Sequence, residues 1–201
     1  MRPVGDRILD DAGDAGGARA ILDVALVGVV EDGAVRIGQA ARQEQERIGQ
    51  TRFGFALEGF DQVLWTDAKE HKYIDEAGVM NVMFVVNGKL ITPKLTSALL
   101  EGVTRDSILT LAPGLGMTVE QRKVSVAEIE EAFKNGTITE AFGTGTAAVV
   151  SPIATINIHG VDYNLPAAGK DSFQQRVKEK LNNIRLGFEP DVYGWNYIIP
   201  S

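Results

Sequence analysis

The chain has 201 residues, of which 44% are hydrophobic and 23% are charged, and its formal net charge at pH 7 is −7. This composition is ordinary for a globular protein, the negative charge argues against nucleic acid as the main partner, and the lack of cysteine excludes disulfides and thiol chemistry. The longest apolar stretch near the N-terminus, "AILDVALVGVV", is too short to span a bilayer, so we predict a cytoplasmic protein without a membrane partner.

The first 52 residues differ in composition from the remainder. Residues 1–52 contain no Phe, Trp, Tyr or Lys, and all seven of their basic residues are arginines. A segment without aromatic side chains can build little hydrophobic core of its own. We therefore predict a poorly ordered leader over 1–52 and a folded domain over 53–201. Either a truncated leader or a reading-frame artefact upstream of a genuine domain would explain the contrast.

The folded domain begins with strand patterns. "FDQVLWTD" predicts a strand that ends in a turn, and "VMNVMFVV" predicts a buried strand. The dipeptide Asn87-Gly88, which follows, is a strong hairpin signal and predicts a return strand over "KLITP". Farther along, "TVEQRKVS" and "AVVSPIATINI" predict strands, and "HGVDYNLP" predicts another hairpin.

Three helices are predicted between these strands. The first lies within "TSALLEGVTRDSILTLAPGLGM" and has Thr104 as its N-cap. The second, "SVAEIEEAFKNG", starts after Ser125, with Glu128 completing a capping box. The third, "SFQQRVKEKLNNIRLG", starts after Ser172. Because strands outnumber helices and no helix follows every strand, the sequence predicts an α+β fold rather than a doubly wound sheet.

The stretch "EAFGTGTAAVVSPI", residues 140–153, places small residues directly before an apolar run. Gly143 and Gly145 allow the backbone to approach a guest closely, and Thr144 and Thr146 offer hydroxyls there. Backbone amides in such a turn form an anion-binding concavity. The same residues also fit a Gly-rich turn before a buried strand, so the pattern alone leaves both interpretations open.

Three stretches, in this order, resemble the C-terminal half of branched-chain amino-acid aminotransferases: "GFDQVLWTDAKEHKYIDEAGVMNVMFVV", "TPKLTSALLEGVTRDSILTLA" and "EAFGTGTAAVVSPI". The resemblance covers about residues 53–201. It implies the C-terminal large domain of a fold-type IV enzyme, a pseudo-barrel of strands with flanking helices that depends on pyridoxal 5'-phosphate (PLP). D-amino-acid aminotransferases and aminodeoxychorismate lyases share this fold type, but "QVLWTD", "GVTRD" and "GTGTAAVVSP" are most similar to the branched-chain group.

The resemblance implies that Glu76 keeps the pyridine nitrogen of PLP protonated, which the cofactor needs in order to withdraw electrons. Asn81, in the same E-x-G-x-M-N stretch, is implied as a second cofactor-binding residue. Two positions depart from the family pattern. Val79 stands where the family usually has Thr, and Lys94 stands where it usually has a second Pro.

The resemblance also implies a phosphate site. The amides of Val103 and Thr104, at a helix N-terminus, would hold the phosphate, because the helix dipole favours an anion there. Plain capping of the helix by Thr104 or Asp106 is the alternative, and the two can coexist. Thr146 would add its hydroxyl to the same phosphate, and the amides around Thr146 and Ala147 would face the substrate carboxylate.

The Schiff-base lysine that the family requires is missing from its expected place. In the family it lies in a K-x-x-G-N-Y-like segment before the glutamate, but the corresponding "VRIGQAARQEQERIGQTRFGFALEGF" contains no lysine. Lys69 and Lys72 lie just before Glu76, in the wrong place by the family pattern. An arginine cannot replace the lysine because it stays charged and is a poor nucleophile. No catalytic residue is therefore assigned, and no metal site is predicted.

Two hypotheses follow from the resemblance. The first is a branched-chain amino-acid aminotransferase, homodimeric in the family, that moves an amino group between leucine, isoleucine or valine and 2-oxoglutarate. The second is a catalytically inactive remnant that keeps part of the PLP cradle. The missing lysine separates the two hypotheses and favours the second for this chain.

Overall fold

The structure is a computed structural model that describes the backbone of residues 35–41 and the whole of residues 60–199. Within these residues the strands are β1 (Val35–Ala41), β2 (Gln62–Thr66), β3 (Ile74–Ala77), β4 (Met80–Val86), β5 (Lys89–Pro93), β6 (Thr118–Arg122), β7 (Ile138–Gly145), β8 (Val149–Ile158) and β9 (Val161–Asn164). The helices are α1 (Val103–Leu111), α2 (Val126–Lys134) and α3 (Phe173–Leu186), and a 3-10 turn spans Pro113–Leu115. None of the described helices is long and apolar enough to cross a bilayer.

The strands form one curled sheet that closes on itself. Its order is β3-β2-β1-β8-β7-β4-β5-β6, β9 pairs with β8, and an additional β3–β4 pairing joins β3 and β4 into a six-strand ring. Closure is possible because one edge of β4 is shared: its first residues pair with β3 and its last residues pair with β5. The other edge of β4 pairs with β7 along its length. The α+β fold, a pseudo-barrel with flanking helices, is confirmed.

Part of the predicted leader belongs to this sheet. Residues 35–41 form β1, which is parallel to β2 on one side and to β8 on the other. The remainder of 1–52 lies outside the described residues. The division of the chain at residue 52 stays a prediction.

Both predicted hairpins are confirmed. Asn87 and Gly88 have φ values of 50° and 71° and form a two-residue turn between β4 and β5. His159 and Gly160 have φ values of 52° and 78° and do the same between β8 and β9. Two consecutive left-handed residues give the turn the twist that matches the flanking strands.

Two helix starts agree with the sequence. The Ser125 side chain accepts a hydrogen bond from the amide of Glu128 at 3.1 Å, and the Ser172 side chain accepts one from Gln175 at 3.4 Å. The other half of the predicted capping box, in which the Glu128 carboxylate binds back to the amide of Ser125, is wrong. The Glu128 carboxylate accepts hydrogen bonds from the guanidinium of Arg122, the shorter one at 2.5 Å, because this cation on β6 competes with the backbone for it.

Two apolar clusters form the core, one against α2 and the other against α1 and α3. Alternation along β4 divides its side chains between them, so that Phe84 belongs to the first cluster and Met83 to the second. Asn81 has the same parity as Met83 and lies where the apolar row of the second face stops. The fold thus places a buried polar residue between the sheet and the start of α1.

Candidate functional site

A cavity of about 300 Å³ opens between the β3–β4 hairpin, the start of α1 and the end of β7. Five of the six residues predicted to bind cofactor or substrate line it: Glu76, Asn81, Val103, Thr104 and Thr146. The sixth, Ala147, is exposed in the turn between β7 and β8 and is not part of the lining. The fold therefore brings together residues from three separate stretches of sequence.

The wall of the cavity is a row of polar side chains on three adjacent strands. Glu76 on β3 pairs with Asn81 on β4, and Asn81 pairs with Thr144 on β7. Directly opposed residues of antiparallel strands project from the same face of the sheet. A carboxylate, an amide and a hydroxyl therefore stand side by side at the edge of the second apolar cluster.

Hydrogen bonds fix the carboxylate end of this row. Glu76 is 9% exposed, and its Oε1 accepts hydrogen bonds from the backbone amide of Leu100 at 2.9 Å and from Nδ2 of Asn81 at 3.4 Å. Asn81 Nδ2 also donates to the carbonyl of Leu100 at 2.9 Å. The two side chains thus hold the segment that leads into α1 against the sheet. Sequence reasoning missed Leu100, since its contribution is made by its backbone.

Helix α1 starts without a side-chain cap, so the prediction of Thr104 as N-cap is wrong. The helix begins at Val103 after Gly102, and no side chain of residues 60–199, including that of Asp106, caps its first turn with a hydrogen bond. The first amides of a helix have no partner within the helix and carry the positive end of its dipole. Val103, at the mouth of the cavity, is 80% exposed.

At the start of α3, the free amides of the helix N-terminus are bound by side chains of the protein itself. The Glu140 carboxylate, from β7, accepts hydrogen bonds from the amides of Phe173 at 2.7 Å and Gln174 at 2.8 Å, in addition to the cap from Ser172. At α3 an internal anion therefore occupies the helix terminus. At α1 the corresponding residues, Val103 and Thr104, line the cavity.

Glycines allow two close approaches around the cavity. A Cβ atom at Gly102 would lie 2.2 Å from Oδ1 of Asn81, so only glycine fits beside that amide. A Cβ at Gly143 would lie 2.7 Å from Cε of Met80. Packing against a protein side chain, rather than a guest, therefore explains Gly143 in the small-residue stretch.

Thr144 is the one cavity residue with an unmatched buried group among the residues that the structure describes. It is 1% exposed, and its Oγ1 has no hydrogen-bond partner among those residues. Buried hydroxyls are normally paired, so an orphan needs an explanation. Sequence reasoning offered this hydroxyl to a candidate guest of the small-residue stretch, but the family resemblance gave it no role. Alternation along β7, which puts Thr144 on the same face as Phe142, was the available signal.

A buried arginine anchors α1. Arg105 is 3% exposed and donates hydrogen bonds to the carbonyl of Pro93 at 3.1 Å and to Oε1 of Gln121 at 3.0 Å. Burial lowers the pKa of this guanidinium, and the nearby charges of Asp106 and Glu101 oppose that shift. Because these contacts bind the first turn of α1 to β5 and β6, the helix N-terminus is held in place.

No lysine lines the cavity, although all nine lysines belong to the described residues. Lys72 lies over the ring of Tyr73, with its Nζ 5.2 Å from the ring centre, and Lys69 is exposed in the same loop. Three others form ion pairs with carboxylates elsewhere on the surface: Lys89, Lys134 and Lys180. The cavity as described therefore contains donors and carboxylates but no amine.

Comparison with known proteins identifies the family of the chain. Residues 51–156 match the family of class IV amino-transferases. The chain belongs to this family. It is 43% identical over 143 residues to a probable branched-chain-amino-acid aminotransferase of Staphylococcus aureus (strain N315), which covers 71% of this chain and 40% of the relative. It is 41% identical over 137 residues to branched-chain-amino-acid transaminase 1 of Bacillus subtilis (strain 168), which covers 68% of this chain and 38% of the relative.

The chain also matches a solved structure. That structure is the branched-chain amino acid aminotransferase from Thermobaculum terrenum in its PLP-form (holo-form), at 25% identity and a TM-score of 0.60. The match covers 77% of this chain and 52% of the solved one. The chain thus spans about 40% of the length of the curated relatives named above.

Proposed function

We propose that this chain forms the PLP-binding wall of a branched-chain amino-acid aminotransferase. The reaction moves an amino group between leucine, isoleucine or valine and 2-oxoglutarate. One observation carries the proposal: the uncapped N-terminus of α1, the Thr146 residue and the buried Glu76 carboxylate line one cavity. The names of the relatives support the reaction, and the PLP-form of the Thermobaculum terrenum enzyme supports the cofactor.

The residues present fit the phosphate and ring of PLP. A cavity of about 300 Å³ lies at the lower end of the range for small-molecule sites. Its anion-binding groups are the amides of Val103 and Thr104, backed by the helix dipole, and the hydroxyl of Thr146. Among the described residues its lining contains no Lys or Arg, so the donors that these residues offer to an anion are neutral.

Each part of the wall has a separate task in this proposal. When bound, PLP supplies an electron sink that depends on a protonated pyridine nitrogen. The Glu76 carboxylate, oriented by the Leu100 amide and Asn81, keeps that proton on the ring nitrogen. The amides of Val103 and Thr104 bind the phosphate together with the Thr146 hydroxyl. The amides of Thr146 and Ala147 orient the substrate carboxylate in the turn after β7.

The lysine that anchors the cofactor covalently and carries the proton has no counterpart among the cavity residues. General acid–base and nucleophilic steps each contribute orders of magnitude in rate, and both need this amine. For the 201-residue chain this observation favours the second candidate function, which is PLP binding without turnover.

The test combines a binding measurement with two chemical readouts. We expect the full chain to bind PLP reversibly in a titration, and Glu76→Gln to weaken binding by about tenfold, the loss of one hydrogen bond to a charged group. Glu179→Gln, an exposed carboxylate on α3, serves as the matched control. Failure of the wild-type chain to bind PLP would overturn the proposal.

The chemical readouts separate binding from catalysis. Borohydride reduction after incubation with PLP, followed by peptide mapping, should label surface lysines in a scattered way. An assay with leucine and 2-oxoglutarate should show no turnover. Stoichiometric labelling of one lysine together with turnover would show that the chain is an active enzyme, and Lys69 and Lys72 would be the first positions to examine.

We further propose that the protein is cytoplasmic and that it self-associates as a homodimer. Large apolar side chains are exposed near the cavity, at Val79 and Leu100, and along the C-terminal tail, at Phe188, Tyr197 and Ile198. Exposed apolar patches of this kind are typical of association surfaces.

A further inference from the structure

We propose that the hydroxyl of Thr144 is a further ligand of the cofactor phosphate, to which it donates a hydrogen bond beside the first amides of α1. This inference rests on the proposed function of the cavity. It assigns a role to a residue that the resemblance leaves without one.

The first observation behind this proposal is the position of Thr144 in the sheet. It is opposite Asn81 on β4 and opposite Val150 on β8, so it lies in the interior of the sheet and not at an edge. It shares the cavity with Gly102, Val103 and Thr104 at the start of α1. The hydroxyl and the helix terminus are therefore two sides of one space.

The second observation is that the Thr144 hydroxyl is buried without a partner among the described residues. Leaving a buried donor unpaired destabilises a fold, whereas an apolar side chain of the same shape would carry no such cost. Other polar side chains of the same wall are paired: Asn81 donates to Leu100, and Glu76 accepts from it. A group that is costly to the empty protein is expected where a ligand completes it.

The order of charges along the wall indicates which part of the ligand Thr144 meets. Glu76 and Thr144 stand two strands apart, about 10 Å at the usual strand spacing. An anion near the Glu76 end would be repelled by its carboxylate. At the other end the Thr144 hydroxyl, the α1 terminus and Thr146 are donors or neutral groups, and the carboxylate-bearing residue there, Glu101, is exposed to solvent. The phosphate therefore belongs at the Thr144 end, and the ring nitrogen belongs at the Glu76 end.

The test uses the isosteric variant Thr144→Val in the full chain and compares PLP with pyridoxal, which lacks the phosphate. We expect the Kd for PLP to rise about tenfold, since a hydrogen bond to a charged group is lost, and the Kd for pyridoxal to stay unchanged. Thr144→Ser keeps the hydroxyl and should stay within about twofold of wild type for PLP. Thr139→Val, on the same strand but exposed, is the matched control and should leave both affinities unchanged.

A second measurement separates ligand binding from a structural role. Without ligand, the Tm of Thr144→Val should equal or exceed that of wild type, because the orphan hydroxyl is gone. An unchanged Kd for PLP, an equal loss for PLP and pyridoxal, or a lowered Tm of the free protein would each overturn the role of Thr144 while leaving the proposed function intact. Absence of PLP binding to the wild-type chain would overturn both.

Discussion

Adding one methyl group at Gly102 is expected to disrupt the hydrogen bonds behind the cavity. The new Cβ would lie 2.2 Å from Oδ1 of Asn81. Asn81 is 5% exposed, and its Nδ2 donates to both Leu100 and Glu76, so it cannot move aside without breaking these contacts. The backbone at Gly102 has φ −73° and ψ 128°, which alanine adopts without strain. The contact with Asn81 is therefore the cause of the effect.

The size of the effect follows from the bonds that are lost. Two hydrogen bonds at about 1 kcal/mol each, with the 3.4 Å bond worth less, give about 1–2 kcal/mol, and alanine in place of glycine at an N-cap adds about 0.5–1 kcal/mol. We expect Gly102→Ala to lower the free energy of unfolding by about 1.5–3 kcal/mol. Asn81→Ala alone should lower it by about 1–2 kcal/mol.

A double-mutant cycle isolates the contact. In the Asn81→Ala background the added methyl group no longer meets an amide, so Gly102→Ala should cost only the N-cap difference. The coupling energy from urea unfolding of the four proteins should be about 1–2 kcal/mol. Gly114→Ala is the control, because an added Cβ there meets nothing within 4 Å.

Two results would refute this reasoning. If Gly102→Ala and Asn81→Ala were additive to within about 0.5 kcal/mol, the two positions would not interact as the structure indicates. If Gly102→Ala were as stable as wild type and bound PLP equally well, the close approach would have no role in shaping the site.

Other expectations concern a loop, the leader and the C-terminal tail. Burial opposes ionisation of Asp67, but backbone amides that donate to its carboxylate outweigh this effect and lower its pKa from 3.8 to about 2. Because the folded pKa is the lower one, the stabilisation is complete above about pH 4 and is lost as the pH falls towards 2. Urea unfolding gives the free energy of unfolding that Asp67→Asn loses relative to wild type, and the exposed Asp171→Asn is the control. This loss should shrink as the pH falls over that range, and a loss that stays constant would contradict the lowered pKa of Asp67. In limited proteolysis, the parts of 1–52 outside β1 should be cut before 60–199, and protection throughout 1–52 would argue against a poorly ordered leader. In sedimentation velocity the chain should associate as its concentration rises, and Ile198→Asp should weaken this association; a clean monomer at high concentration would count against it.

The elements that the sequence predicted correctly depend on local chemistry. Asn87-Gly88 makes a hairpin because both residues tolerate positive φ, and Ser125 caps a helix because its acceptor lies three residues from the amide that it binds. The residues that line the cavity could not be identified from local chemistry. Their resemblance to a known family identified Glu76 and Asn81, but only the strand register shows that these two residues stand in one row with Thr144.

The wrong predictions have non-local causes. Thr104 has the side chain of an N-cap, but the N-cap lies two residues earlier, at Gly102, where Asn81 leaves room only for glycine. Glu128 has the spacing of a capping box, but Arg122 binds it. No pattern in the Arg-rich leader indicated β1, because a parallel strand is defined by partners far away in the sequence.

The position of β1 also affects how the chain folds. Val35 pairs with Ile153, so the ring closes between residues separated by more than half the chain. Contacts between such distant residues form late, since the entropy of closing a long loop opposes them. Until β1 inserts, β2 and β8 each keep an unpaired edge of amides and carbonyls that can pair with another chain. The rate at which this one strand inserts therefore sets how long each newly made chain is exposed to aggregation.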